Sequence, residues 1–287
     1  MSSLVFTACA PKRVAVTAPP IASKAKQRLE EIERRLGGQL GVAVVDTGNE
    51  RRLAYRDDER FPLCSTFKLL AAGAVLARVD AGTETLERVV PYGEADLLDY
   101  APVTREHVAE RGLSVAALCL AAITVSDNTA GNLLLASIGG PAGLTQFVQS
   151  LGAIETRLDR TEPTLNEAAP GDPRDTTTPS SMLTAMRALL VGDALSSASR
   201  DKLVGWLEAT KTGTERLRAG WPTTWRTGDK TGTGERGAAN DVAIVWPTGR
   251  APILVAAYSV GSTAEPAQRN AALAEVGQVI AEWSSEG

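Results

Sequence analysis

Strand-like sequence patterns in this chain lie near its two ends. Near the start, residues 40–45 and 51–55 flank a Thr-Gly-Asn turn, and near the end, residues 241–246 and 253–258 flank a Pro-Thr-Gly turn. Both pairs have the apolar runs and turn residues of antiparallel hairpins. A single sheet built from both ends requires the chain between them to leave the sheet and return to it, which favours an inserted lobe.

The middle of the chain has helical periodicity instead. Runs rich in Ala and Leu cover residues 69–79, 115–126, 129–138, 144–151 and 180–190, and no strand pattern interrupts them. Amphipathic helices are also predicted near the ends, over residues 25–36 and 267–283. The sequence therefore predicts an α+β fold, in which N- and C-terminal helices flank an antiparallel sheet. The inserted lobe is all-helical, and the active site is expected in the cleft between the two lobes.

The chain divides into three expected parts. Residues 1–20 are an export-signal remnant or a disordered arm, residues 21–62 plus 212–287 form the α/β lobe, and residues 63–211 form the helical lobe. Residues 160–175 are a polar, proline-rich loop within the helical lobe, and loops of this length are usually functional. A short apolar stretch precedes Cys9, so this residue is either a lipid-attachment cysteine or part of a disordered arm.

Composition excludes several classes of function. The 30 Lys plus Arg and the 34 Asp plus Glu are scattered and give a net charge of -4, which argues against a nucleic-acid partner. No apolar run approaches the roughly 20 residues that cross a bilayer. Three widely spaced cysteines and the single histidine, His107, favour neither a metal site nor a Ser-His-Asp triad. We therefore expect no metal, no cofactor, and a solvated or capping role for His107.

Ser65 and Lys68 open the apolar helical run that follows them. Their spacing of three places both side chains on one helix face, where a nucleophile and a base can meet. Ser-x-x-Lys alone is a weak signal, and a solvated helix start is the alternative interpretation. A lysine at the start of a buried helix is costly to charge, however, and such a lysine is easily deprotonated.

Two further polar motifs follow apolar segments. Ser126-Asp127-Asn128 lies at a helix junction, where a hydroxyl and an amide can project into a cleft, although these residue types are also ordinary N-caps. A Lys-Thr-Gly-Thr-Gly run starts at Lys230 on the expected third strand. Strand alternation turns Lys230 and Gly232 to one face and the threonines to the other. Hydroxyls and a cation at a sheet edge suit a carboxylate ligand.

The three motifs, in this order and at these separations, resemble those of the class A β-lactamases among the penicillin-recognising serine enzymes. The resemblance covers about residues 22–282 and includes Glu162-Pro-Thr-Leu-Asn166 in the long loop. It implies that Ser65 attacks the lactam carbonyl to form an acyl-enzyme, and that Glu162 and Asn166 hold the water that hydrolyses the ester. Whether Lys68 or Glu162 takes the proton of Ser65 stays open. The resemblance also implies a cis bond after Glu162, and Arg160 and Asp175 can pair across the loop.

The resemblance assigns further roles at the site. Ser126 passes a proton to the departing lactam nitrogen, and the backbone N–H groups of Ser65 and Thr233 form the oxyanion hole. Arg216 contacts the substrate carboxylate, with Arg218 as the alternative, and Tyr100 walls the cleft unless it is part of the core. The implied substrate-binding residues are Tyr100, Asn128, Asn166, Arg216, Lys230, Thr231 and Thr233.

The implied activity is hydrolysis of penicillins and cephalosporins by a secreted or periplasmic, monomeric enzyme whose only partner is its small-molecule substrate. Two alternatives share the three motifs. The first is a penicillin-binding peptidase or transpeptidase of cell-wall synthesis, against which the Glu162 loop argues. The second is a non-catalytic β-lactam sensor, which would need a membrane-spanning segment or a partner domain.

Hydrolysis of benzylpenicillin is expected to continue at an unchanged rate in the presence of EDTA, because the sequence has no ligand cluster for a catalytic metal. Initial rates of ring opening, followed by ultraviolet absorbance, measure this. A zinc-dependent β-lactamase assayed in parallel verifies that the chelator is effective. Loss of activity that added zinc restores would contradict a serine mechanism.

Overall fold

A computed structural model describes residues 20–286, with side chains from Ala22 onward, so the two interpretations of Cys9 concern a residue outside the described range. The helices are α1 (Pro20–Leu36), α2 (Phe67–Asp80), α3 (Pro102–Glu106), α4 (Val115–Thr124), α5 (Asn128–Ser137), α6 (Gly140–Ser150), α7 (Pro179–Leu190), α8 (Ser197–Glu208) and α9 (Pro266–Ser285). The strands are β1 (Gln39–Asp46), β2 (Arg52–Tyr55), β3 (Phe61–Pro62), β4 (Val89–Val90), β5 (Leu113–Ser114), β6 (Thr176–Thr177), β7 (Arg226–Thr233), β8 (Ala239–Trp246) and β9 (Ile253–Val260).

Both ends of the chain contribute to one antiparallel sheet. Its strand order is β2-β1-β9-β8-β7, so the N-terminal hairpin pairs directly with the C-terminal strands. Val42 of β1 lies opposite Ala257 of β9. The predicted α+β fold, with an antiparallel sheet and flanking N- and C-terminal helices, is confirmed.

Helices cover both faces of this sheet. One apolar cluster joins α1 and α9 to the sheet through residues such as Leu29 and Ile280. A second cluster packs the other face against α2 and its neighbours, and includes Phe67 and Tyr258. Because both faces are covered, β1, β8 and β9 are buried along nearly their whole length and do not show a polar-apolar alternation.

The expectation that no strand interrupts the helical region is wrong at three short segments. β4 pairs with β5, and β6 returns to pair with β3. Each of these strands has two residues, which is too short for a periodic pattern to appear in the sequence.

The sequence patterns also missed helix α8. It begins at a Ser196 N-cap, whose hydroxyl accepts a hydrogen bond from the N–H of Ser199. Both serine hydroxyls donate to Asp80 at the end of α2, each at 2.7 Å. These capping contacts, rather than a strong apolar periodicity, determine where α8 starts.

The predicted helix 115–126 ends earlier than expected, at Thr124. Ser126 has a φ of 61°, which lies in the left-handed region that a helix cannot contain. This break turns the chain between α4 and α5 and positions the second polar motif at a helix start.

Among residues 20–286, no helix is both long enough and apolar enough to cross a bilayer. Within the same range, no group of three or more His, Cys, Asp or Glu side chains is arranged to hold a metal ion. The positions of the two lobe boundaries stay a prediction.

Replacing Leu29 with Ala is expected to lower the free energy of unfolding by about 2–5 kcal/mol, because it leaves a cavity between α1 and the sheet. Lys26→Ala, on the exposed side of the same helix, is the matched control and should stay within about 0.5 kcal/mol of the parent. Urea unfolding followed by circular dichroism measures both. Equal changes in the free energy of unfolding for the two variants would show that α1 does not contribute to the core.

Candidate active site

Ser65 lies in a single 3-10 turn, Cys64–Thr66, immediately before α2. The turn is held from behind, because the Thr66 hydroxyl donates to the carbonyl of Leu63 at 2.6 Å and shares a hydrogen bond with the Tyr258 hydroxyl at 3.0 Å. Ser65 itself is 9% exposed. A buried hydroxyl at the start of a rigid helix is a well-positioned nucleophile.

Lys68 is the second residue of α2, three positions after Ser65, and its side chain is completely buried. Its Nζ donates to Ser65 Oγ at 3.0 Å, to the Ser126 carbonyl at 2.8 Å and to Asn128 Oδ1 at 2.6 Å. It also forms an ion pair with Glu162 Oε1 at 3.1 Å. Burial lowers the pKa of the Lys68 ammonium, and the charge of Glu162 opposes that shift. The proton on Lys68 is therefore held less tightly than in water, although every contact around it favours the charged form.

Glu162 extends from the polar loop to Ser65. Its Oε1 accepts a hydrogen bond from Ser65 Oγ at 3.1 Å, and its Oε2 accepts one from Asn166 Nδ2 at 2.5 Å. The side chain of Asn132 bonds to the backbone of Glu162 on both sides, accepting from its N–H at 2.9 Å and donating to its carbonyl at 3.0 Å. The peptide bond between Glu162 and Pro163 is cis.

An ion pair closes the loop that carries Glu162. Arg160 Nε donates to Asp175 Oδ2 at 2.5 Å, the pairing that the sequence predicted across the two ends of the loop. Asp175 Oδ1 also accepts from the N–H groups of Asp159 and Arg160, at 2.8 and 2.9 Å. This buried carboxylate therefore links the first residues of the loop to its last residue, and the two ends of the loop are held together.

The second motif serves as both a cap and a site. Asp127 is the N-cap of α5, accepting from the N–H of Ala130 at 2.9 Å, so the capping interpretation applies to this residue alone. Ser126 and Asn128 on either side of it reach Lys68. The N–H of Asn128 donates to the carbonyl of Tyr100, whose side chain is 52% exposed and is not part of the core.

Strand β7 brings a second buried cation to Ser126. Lys230 Nζ donates to Ser126 Oγ at 3.0 Å, and Lys68 Nζ lies 3.4 Å from the same oxygen. Burial lowers the pKa of Lys230 strongly, and the charge of Lys68 lowers it further. A hydroxyl between two cationic groups loses its proton more easily than an ordinary serine, because the positive charges stabilise its alkoxide.

Arg216, rather than Arg218, lies beside the threonines of β7. Its guanidinium donates to Thr233 Oγ1 and to the carbonyls of Gly232 and Asn240, each at 2.7 Å. Arg218 instead bonds to the buried carboxylate of Asp229, at 2.9 Å from its Nε. The structure therefore brings together Thr233 and only the first of the two candidate arginines.

Close packing joins β7 to the Cys64–Thr66 turn. A Cβ added at Gly232 would lie 3.1 Å from Cys64 Cβ, and one added at Gly234 would lie 2.7 Å from Cys64 Sγ. The glycines thus allow β7 to approach this turn and bring the backbone of Thr233 near Ser65. Cys64 is a buried free thiol, and burial raises its pKa to about 12.

Sequence reasoning missed two residues of the site. Asn132 lies four positions after Asn128 on α5, a spacing that could have placed it on the same helix face. The hydroxyls of Thr212 and Thr231, which are 19 positions apart, share a hydrogen bond of 2.6 Å. No local sequence pattern indicates that Thr212 belongs to the site. His107, for which a solvated or capping role is expected, is partly exposed and contacts Glu110.

Comparisons with known proteins agree with this geometry. A family profile described as "Beta-lactamase enzyme family" matches residues 24–284. The chain is 51% identical over 256 residues to the β-lactamase AST-1 of Nocardia asteroides, covering 89% of this chain and 82% of that protein. It is 44% identical over 259 residues to the β-lactamase CTX-M-8 of Citrobacter amalonaticus, covering 90% and 89%. The solved structure of an ancestral class A β-lactamase, GNCA, matches with a TM-score of 0.89 at 61% identity, over 90% of this chain and 99% of that one.

The thiols of Cys64 and Cys119 are expected not to react with a disulfide reagent in the folded protein at pH 8. A thiol with a pKa of about 12 is thiolate in only about one part in ten thousand at that pH, and both side chains are also buried. A Cys9→Ser variant isolates these two thiols. It should release no chromophore when folded and two equivalents in guanidinium chloride. Rapid labelling of the folded variant would contradict the described burial.

Proposed function

Because the chain belongs to the class A β-lactamases and hydrolyses β-lactams, we propose that it does so through an acyl-enzyme on Ser65, which a water activated by Glu162 then hydrolyses. The observation that carries this proposal is the position of Ser65 Oγ. It lies 3.0 Å from Lys68 Nζ and 3.1 Å from Glu162 Oε1. A nucleophile with a cation and a carboxylate in direct contact can both lose a proton and be stabilised as it attacks.

For acylation, the contacts favour Glu162 as the acceptor of the Ser65 proton. Lys68 is surrounded by oxygen atoms of Ser65, Ser126, Asn128 and Glu162, an environment that retains the ammonium form. An ammonium group donates and cannot accept a proton. Glu162 Oε1 is the carboxylate oxygen that already accepts a hydrogen bond from Ser65, so the proton moves along an existing contact.

We assign the oxyanion hole to the backbone N–H groups of Ser65 and Thr233. The close packing of β7 on the Cys64 turn supports this assignment, because it brings the two backbone segments together. Losing one such donor typically raises the barrier by about 2.7–4 kcal/mol. The proton for the departing lactam nitrogen comes from Ser126, whose hydroxyl lies between Lys68 and Lys230.

The hydrolytic water binds between Glu162 and Asn166. The amide of Asn166 is oriented by its two donated hydrogen bonds, to Glu162 Oε2 at 2.5 Å and to the Pro163 carbonyl at 3.1 Å. Its other atom, Oδ1, is buried and has no hydrogen-bond partner among the described residues. A buried acceptor of this kind requires a donor, and a water that donates to Oδ1 and to Glu162 presents a lone pair to the ester.

Substrate binding falls to groups around the same cleft. The carboxylate of a penicillin or cephalosporin contacts Thr231, Thr233, Lys230 and Arg216, since hydroxyls and cations suit that group. Asn128 binds the amide of the substrate side chain, and the exposed ring of Tyr100 walls the cleft mouth.

The peptidase alternative is not favoured, because the curated relatives that match at 42–51% identity are β-lactamases. We further propose that the enzyme is secreted or periplasmic and acts as a monomer, as the family resemblance implies. The site then lies in the cleft between an α/β lobe of residues 21–62 plus 212–287 and a helical lobe of residues 63–211. A lipid anchor at Cys9 stays a prediction.

A Glu162→Ala variant distinguishes acylation from deacylation. We expect this variant to react with benzylpenicillin and to accumulate an adduct heavier by one intact penicillin molecule. Loss of the Glu162 carboxylate removes the charge that opposes the lowering of the Lys68 pKa by burial, so a neutral Lys68 can accept the proton of Ser65. Among the described residues, Glu162 is the loop carboxylate that contacts Ser65, so the variant lacks the base for deacylation, and a positioned general base typically contributes about 10²–10⁴ in rate. Ser65→Ala is expected to form no adduct. Intact-protein mass spectrometry after mixing measures both.

Glu94→Ala is the matched control, since Glu94 is an exposed carboxylate outside the site. It should hydrolyse benzylpenicillin at the parent rate and accumulate nothing. Turnover by Glu162→Ala at the parent rate would reject the assigned base, and an adduct on Ser65→Ala would reject the assigned nucleophile.

A further inference from the structure

A cavity of about 250 Å³ lies between the second half of the 160–175 loop and the ends of strands β1, β3 and β9. The loop contributes Leu165 and residues 168–174, and the strands contribute Gln39, Pro62 and Val260. None of the catalytic side chains lines this space. It is therefore separate from the cleft that holds Ser65, although it shares the loop that carries Glu162.

The cavity combines an apolar floor with a cationic rim. Its apolar lining includes Leu165, Ala169, Pro170 and Val260. Its charged lining consists of Arg60, Arg174 and Arg236 against the single carboxylate of Asp172. An excess of guanidinium groups around an apolar concavity complements a ligand with an apolar body and a negative charge.

The three arginines differ in whether their guanidinium groups already have a carboxylate partner. Arg174 pairs with Asp172 at 2.6 Å, and Arg60 pairs with Glu155. Arg236 has no carboxylate within ion-pair distance among residues 20–286, and its one described side-chain contact is from Nε to the Glu167 carbonyl at 3.3 Å. The terminal nitrogens of Arg236 are thus the donors that remain for an anion.

We propose that this cavity binds a small organic carboxylate, with the carboxylate on Arg236 and the apolar body against Leu165, Pro170 and Val260. Both features contribute to binding, because an inorganic anion leaves the apolar floor uncovered and a neutral apolar molecule gains no charge-assisted hydrogen bond from the exposed Arg236. A cavity of about 150 Å³ is enough to hold benzene, so 250 Å³ accommodates a ligand the size of benzoate.

The site adjoins the deacylation machinery without overlapping it. Leu165 immediately precedes Asn166, and the carbonyl of Asn166 accepts from the N–H of Glu235 at 2.9 Å, next to Arg236. A bound carboxylate therefore contacts residues on both sides of this backbone link. Its binding does not depend on the proposed roles of Ser65 or Glu162.

Methyl-labelled full-length protein, titrated with benzoate and observed by NMR, tests the proposal. We expect shifts of the Leu165, Ala169 and Val260 methyl signals, with a dissociation constant on the order of 1 mM for so small a ligand. Benzamide has the same shape without the charge and should bind at least about tenfold more weakly. Sulfate has the charge without the apolar body and should leave these methyl signals unchanged.

Variants of the rim and the floor localise the binding. Arg236→Gln should weaken benzoate binding about tenfold, whereas Arg34→Gln, an exposed arginine on α1 outside the cavity, should not change it. Val260→Phe fills the cavity and should abolish the shifts. Benzoate shifts confined to the Thr231 and Thr233 methyls would place the ligand in the catalytic cleft and overturn the proposal. Equal affinity for benzoate and benzamide, or no effect of Arg236→Gln, would overturn it as well.

Discussion

The buried charge of Lys68 is the constraint on which the rest of the site depends. A cation without access to water is very costly unless oxygen atoms surround it. Here those oxygens come from three separate parts of the chain: the turn before α2, the junction between α4 and α5, and the long loop. Satisfying one charge thus fixes the relative positions of Ser65, Asn128 and Glu162. The contacts that stabilise this buried charge are thus the same contacts that position the residues of the proposed site.

Lys230 adds a second buried charge within reach of the first. The two ammonium groups share Ser126 as a neighbour. Their mutual repulsion is offset in part by the ion pair of Lys68 with Glu162 and by the charges of Asp229 and Glu162, which act on Lys230. Asp229, next to Lys230 on β7, is itself buried and paired with Arg218. Buried groups of both charges therefore lie along β7, together with Arg216, which bonds to Thr233. Removing one member of such an ion pair leaves its partner buried and uncompensated.

Sequence patterns predicted the parts of this molecule that repeat regularly or carry a motif. The periodic apolar residues of α1 and α9 and the two terminal hairpins gave the sheet and its flanking helices correctly. The three polar motifs gave Ser65, Lys68, Ser126 and Lys230, which the structure brings together. Helix α8 was missed because its start depends on contacts with Asp80, far away in the sequence. The choice between Arg216 and Arg218 was equally out of reach, since it depends on which guanidinium meets a buried carboxylate that no local pattern reveals.

The pairing of β1 with β9 has a consequence for how the chain acquires its structure. Thr47, at the end of β1, bonds to Pro252, 205 positions further along. Contacts over so long a separation pay a large loop-closure entropy before they contribute stability, which slows folding. The central strands cannot pair until β9 has been synthesised, so a nascent or prematurely terminated chain exposes the unpaired edges of β1 and β8. Exposed edges of this kind are templates for aggregation, and the final strand is the one that removes them.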